Sequence, residues 1–160
     1  MRRLLKVLMA VAAAGAAMSA AGLFLARRME GGRGFSDADD FRVAAVWGGR
    51  EFTSTARRLT SGWAEAVLAG ISLDLRDAVP APGGTDLWLR ATLGGIAVSV
   101  PGAWRVEVER HLAGGAVEVR TPDPGGLPAD APVLRISATA RSGGILITTG
   151  DAEQGAGTGG

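Results

Sequence analysis

The chain has 160 residues, which is about one domain's worth, and its 47% hydrophobic and 21% charged residues can supply a folded core. There is no cysteine and only one histidine, which excludes a disulfide framework, a cysteine nucleophile and histidine or thiolate metal clusters. The net charge of +1 conceals an asymmetry: residues 1–34 carry six basic side chains against Glu30, whereas residues 35–160 carry eleven arginines against fifteen acids, so no nucleic-acid surface is expected on the folded part.

Val7 to Ala26 is a run of twenty residues without a charge, preceded by Arg2, Arg3 and Lys6 and followed by Arg27 and Arg28. As a helix it would span ~30 Å, the thickness of a bilayer's hydrocarbon core. It reads as a single membrane span within residues 1–28, placing the protein at the cell membrane. The alternatives are a cleaved signal peptide with its cut near Ser19-Ala20-Ala21, giving a secreted protein, and a buried soluble helix. The apolar run continues through Leu23-Phe24-Leu25 beyond that cut, which favours the anchor. The basic flanks lean weakly toward an extracytoplasmic domain.

Residues 29–42, rich in glycine and acids, read as a flexible linker. From residue 43 to 149 the pattern is β. Five glycine pairs or near-pairs, Gly48-Gly49, Ala69-Gly70, Gly94-Gly95, Gly114-Gly115 and Gly143-Gly144, punctuate alternating apolar segments, and such a period marks a repeated supersecondary unit. In the third unit Leu87, Leu89, Ala91 and Leu93 share one face, continued by Ile96, Val98 and Val100. In the second, Leu68, Ile71, Leu73 and Leu75 point together. Trp104, Val106 and Val108 point inward, as do Leu134, Ile136, Ala138 and Ala140. All seven prolines fall between these units, where no ladder hydrogen bond is lost. Residues 150–160 have no apolar period and are expected to be a disordered tail.

The fold class is therefore all-β, with two architectures open. Glycine pairs can close hairpins, giving a sandwich or barrel, or they can be the corners of a β-helix-like parallel solenoid.

Several stretches resemble a known family: Val46-Trp47-Gly48-Gly49, Leu68-Ala69-Gly70-Ile71-Ser72-Leu73-Asp74-Leu75-Arg76, Leu93-Gly94-Gly95-Ile96, Val100-Pro101-Gly102-Ala103-Trp104 and Gly143-Gly144-Ile145. Their order is similar to the carboxy-terminal domain of the LiaF-like cell-wall-active antibiotics response proteins. The resemblance implies a β-helix-like domain, membrane association and a part in envelope-stress regulation. It implies no catalytic residues. Members that inhibit a sensor kinase carry several spans, whereas one is read here, and Trp47 stands where the family signature has phenylalanine.

Little else suggests chemistry. His111 reads as a surface residue at a strand end. Asp74 and Asp77 bracket Arg76, and Asp39-Asp40 lies in the linker; paired carboxylates can cleave polysaccharides, but alternation turns Asp74 outward onto a solvated face. The sharper candidate is Trp88, outward by parity with Arg90 on the same face, a composition common in binding hot spots. No enzyme and no cofactor are expected. The expected partners are the membrane and a protein or envelope component, with self-assembly of stacked rungs as a further possibility.

Overall fold

A computed structural model describes residues 33–150. The reading of residues 1–28 as a span, and all but the first residue of the 150–160 tail, lie outside the described residues. Among the described residues no helix is long and apolar enough to cross a membrane.

The fold is all-β, in two parallel sheets. Eleven strands follow in chain order: β1 (Arg33–Ser36), β2 (Asp40–Ala45), β3 (Gly48–Ser54), β4 (Ser61–Val67), β5 (Ala69–Asp74), β6 (Thr85–Thr92), β7 (Gly95–Val100), β8 (Arg105–Ala113), β9 (Ala116–Arg120), β10 (Val133–Arg141) and β11 (Gly144–Thr149). Odd-numbered strands form a six-stranded sheet in the order β1-β3-β5-β7-β11-β9. Even-numbered strands form a five-stranded sheet in the order β2-β4-β6-β10-β8. Every ladder between strands is parallel. Hairpins are thereby excluded, because a two-residue hairpin joins antiparallel strands. Each glycine pair instead links a strand of the five-stranded sheet to one of the six-stranded sheet, so one even and one odd strand make one rung of a coil.

The glycine corners stack on one another. A Cβ on Gly94 would lie 2.3 Å from the Ala69 carbonyl oxygen, one on Gly143 would lie 2.5 Å from the Gly94 oxygen, and one on Gly115 would lie 2.6 Å from the Gly143 oxygen. Backbone rests on backbone at these three positions, which is why Gly94, Gly115 and Gly143 carry no side chain.

The core is the slab between the sheets. Val43, Leu73, Leu75, Leu87, Leu89, Val98, Leu134, Ile136 and Ile147 are all buried in it. At the amino-terminal end Phe41 packs against Phe52 with ring centroids 4.8 Å apart. Gly62 makes the room, since a Cβ there would come within 2.4 Å of the Phe41 ring. Trp104 is buried, as its inward parity requires.

Four features depart from the sequence reading. Strand β1 and the start of β2 lie inside residues 29–42, the segment read as a linker. Leu68 and Leu93, read as core residues, are exposed at the corners with φ of 54° and 52°. The left-handed conformation swings the chain from one sheet to the other, and period-two alternation ends where it occurs. Next, the rungs do not stack in sequence order. The β10–β11 rung lies between β6–β7 and β8–β9. The segment 121–132, with Pro122, Pro124, Pro128 and Pro132 and a 3-10 turn at Pro124–Gly126, leads the chain back into that slot. Last, Val108, read as pointing inward, is only partly buried, like Val117 and Val119 of the same rung, because that rung is the outermost.

The inversion has a physical basis. Strand β10 buries Leu134, Ile136, Ala138 and Ala140, and its partner β11 buries Ile145 and Ile147. Strand β8 leaves Glu107, Glu109, Arg110 and His111 exposed, and β9 leaves Glu118 and Arg120 exposed. Apolar rungs gain most from two neighbours, and a charged last rung blunts the open sheet edges.

Candidate functional site

The outer face of the five-stranded sheet is built by the same alternation that builds the core. Parallel in-register pairing places outward side chains of successive rungs in straight rows about 4.8 Å apart. The central row runs Arg42, Trp63, Trp88, Ser137, Glu109. On one side lies the row Asp40, Ser61, Asp86, Arg135, Glu107, and on the other Ala44, Glu65, Arg90, Thr139, His111.

Trp63 and Trp88 are direct register partners, and the Arg42 guanidinium sits 4.6 Å from the centre of the Trp63 ring. Cation–π attraction of this kind holds the first ring in place. Trp88 remains 48% exposed, a large fraction for an indole between two buried leucines. Beyond it Ser137 is small, so the surface drops. One depression of about 460 Å³ is lined by Asp86, Trp88, Glu107, Glu109, Arg135 and Ser137. A second, of about 270 Å³, is lined by Trp63, Trp88, Arg90, His111, Ser137 and Thr139. Trp88 is the wall between them.

Polar contacts edge the central row. Arg135 Nε donates to Asp86 Oδ1 at 2.7 Å and Nη2 to Oδ2 at 3.1 Å, joining β10 to β6. These hydrogen bonds, aided by the guanidinium charge and opposed by partial burial, hold the Asp86 carboxyl below its ordinary pKa. Arg90 Nη1 lies 3.8 Å from Glu65 Oε1. His111 Nε2 lies 3.4 Å from Glu109 Oε1, on the rim of the second depression. The face is thus a half-apolar platform edged by charges of both signs.

The sequence-derived pair Trp88 and Arg90 falls on this face. Trp63, Arg42 and Ser137 were missed. Parity of Gly62-Trp63-Ala64-Glu65-Ala66 shows that Trp63 points outward, but its alignment with Trp88 depends on register, which parity does not give. The corner residues Gly48, Gly49, Gly70, Gly94, Gly95, Gly114, Gly115, Gly143 and Gly144 all lie on the edge where the sheets meet, away from the platform's centre.

Asp74 lies at the end of β5, in the other sheet. Arg76 Nη2 and Nε donate to its two oxygens at 2.6 and 2.9 Å. Those bonds hold its pKa low, whereas a general acid needs it raised. Among the described residues no group of three His, Cys, Asp or Glu side chains could hold a metal ion. No family model, curated protein or solved structure matches the chain.

Proposed function

We propose that this protein is a membrane-anchored, non-enzymatic interaction module of the bacterial envelope, with a β-solenoid domain that presents the tryptophan platform to a partner protein or envelope polymer. The observation that carries the reading is the in-register pair Trp63–Trp88 with Arg42 stacked behind it. Trp88 is exposed and Trp63 half-buried beside it; indole rings beside arginines supply large apolar contact at little entropic cost, and such residues are enriched among binding hot spots. Carboxylates and guanidinium groups on both sides add hydrogen-bonding groups for a polar rim.

The resemblance to LiaF-like proteins supports a link to envelope stress caused by cell-wall-active antibiotics. The apolar run Val7 to Ala26 supports the anchor. The alternative of an open-ended scaffold is disfavoured by the outermost rung, which is rich in charge and carries Arg110 at the register position of the buried Ala138, where an added rung would need an apolar neighbour.

The test is binding of the full chain to purified wall polymer by co-sedimentation, together with in-cell photo-crosslinking from position 90. Combined Trp63→Ala and Trp88→Ala substitution is expected to weaken the interaction by roughly thirtyfold, the scale of one hot-spot residue, with circular dichroism unchanged. A strain carrying the double variant should also change its threshold for wall-active antibiotics. Unchanged binding in both assays would refute the assignment of the platform.

A further inference from the structure

We propose that the glycine-corner edge of the domain rests on the bilayer interface, through a ridge made by Val46, Trp47, Leu68 and Leu93. The proposal builds on the reading of Val7 to Ala26 as a membrane anchor. These four side chains are 64%, 81%, 47% and 58% exposed. They lie at one corner of three consecutive rungs. Gly48 pairs with Ala69, and Gly70 pairs with Gly95, so Trp47, Leu68 and Leu93 stack in a column. The backbone confirms the stacking, since the Leu68 amide donates to the Thr92 carbonyl at 3.0 Å, one residue before Leu93. In the next rung Ser142 takes the place of the leucine and the row ends.

Two observations mark this edge. First, Leu68 and Leu93 keep bulky apolar side chains in a left-handed backbone, where glycine is the ordinary choice and leucine costs about 1–2 kcal/mol. Neither side chain contributes to the core, so packing does not account for them. Second, the chain enters the domain on this side. Strand β1 runs parallel to β3 and begins with Arg33 opposite Glu51, three residues past the corner glycine Gly48. It therefore arrives from the corner edge. Seven residue steps separate Ala26 from Arg33, which is about 25 Å at full stretch. An anchor that ends at Ala26 thus holds the corner edge close to the lipid. Tryptophan and leucine on such an edge suit the headgroup boundary, where an indole is most at home. Arg27, Arg28 and Arg33 add attraction for anionic lipid. In this orientation the strands stand away from the bilayer and the tryptophan platform faces sideways, open to partners.

The absence of cysteine permits a clean test on the full chain. Single variants Trp47→Cys, Leu68→Cys and Leu93→Cys, with Asp77→Cys on the opposite edge as control, are labelled with nitrobenzoxadiazole. Each is reconstituted into vesicles of equal parts phosphatidylglycerol and phosphatidylethanolamine with a headgroup-level nitroxide lipid. Labels at 47, 68 and 93 should lose roughly half of their emission or more, consistent with burial ~5–10 Å into the interface, and the label at 77 should be unaffected. Adding Leu68→Ser and Leu93→Ser to the Trp47→Cys chain should restore its emission while flotation with vesicles stays unchanged. Flotation without quenching at the three corner positions overturns the ridge and leaves the anchor standing. Failure to float overturns the anchor itself. Labels already shielded in detergent-free, lipid-free chain would mean that residues 7–26 cover the ridge, which also overturns it.

Discussion

Replacing Gly94 by alanine puts a methyl carbon 2.3 Å from the Ala69 carbonyl oxygen and 2.9 Å from its nitrogen. Real Cβ atoms do not approach that closely, and neither obstacle is a flexible side chain. Ala69 is held in the ladder between β3 and β5, and Gly94 itself carries Gly143 on its far side, at 2.5 Å from a would-be methyl there. Relief requires opening the spacing between two rungs at the corner. Overpacking of this kind costs about 1–3 kcal/mol, and a rigid backbone obstacle puts this case at about 3 kcal/mol. Gly48 is the control. Its φ is +80° but no atom lies within 4 Å of a Cβ built there. Gly48→Ala therefore meets only the left-handed backbone cost of about 1–2 kcal/mol. Thermal melts by circular dichroism resolve the two, because 1 kcal/mol moves the midpoint of a domain this size by ~4 °C. Gly94→Ala is expected to melt about 12 °C below the parent and Gly48→Ala about 4–8 °C below. If Gly94→Ala proves no more harmful than Gly48→Ala, the argument that stacked corners exclude side chains is wrong.

Two further outcomes follow from the rung order and the ion pairs. Ile136, buried between β6 and β8, should cost about 3 kcal/mol as Ile136→Ala, while Val108→Ala in the outermost rung should cost about 1 kcal/mol. The difference exceeds the ~0.8 kcal/mol of one extra methylene, and a reversed ranking in urea melts would contradict the inserted position of β10. The Asp86–Arg135 pair stabilises the fold above about pH 4, where the unfolded carboxylate is also ionised, and its contribution fades as pH falls through the lowered folded value. Asp86→Asn should therefore flatten the acid limb of a stability–pH curve without altering its shape above pH ~6, and the effect should shrink in high salt. A parallel shift at all pH values would show that the pair matters for packing instead of charge.

Much of this molecule was legible in the residues themselves. Alternation is a local property, so Leu87, Leu89, Ala91 and Ile136 could be placed inside and Trp88, Arg90 and Asp74 outside without knowing any partner strand. The corners were legible too, because a backbone that must touch another backbone has few residue choices besides glycine. Alternation failed at Leu68 and Leu93, where a left-handed residue breaks the period, and nothing in leucine announces that conformation. The segment 29–42 hid β1 and the start of β2 because a short edge strand needs only a ladder partner and carries little apolar signal.

What sequence determined, then, is which faces are wet and where the chain turns. What tertiary structure alone decided is who stands beside whom. The long interval between Gly114-Gly115 and Gly143-Gly144 gives no direction for the loop within it, and only competition between an apolar rung and a charged one for the interior slot places β10–β11 ahead of β8–β9. The same register brings Trp63 beside Trp88 and lines up Trp47, Leu68 and Leu93. A ladder pairs residues 18 or more positions apart, and that distance is invisible to any local pattern.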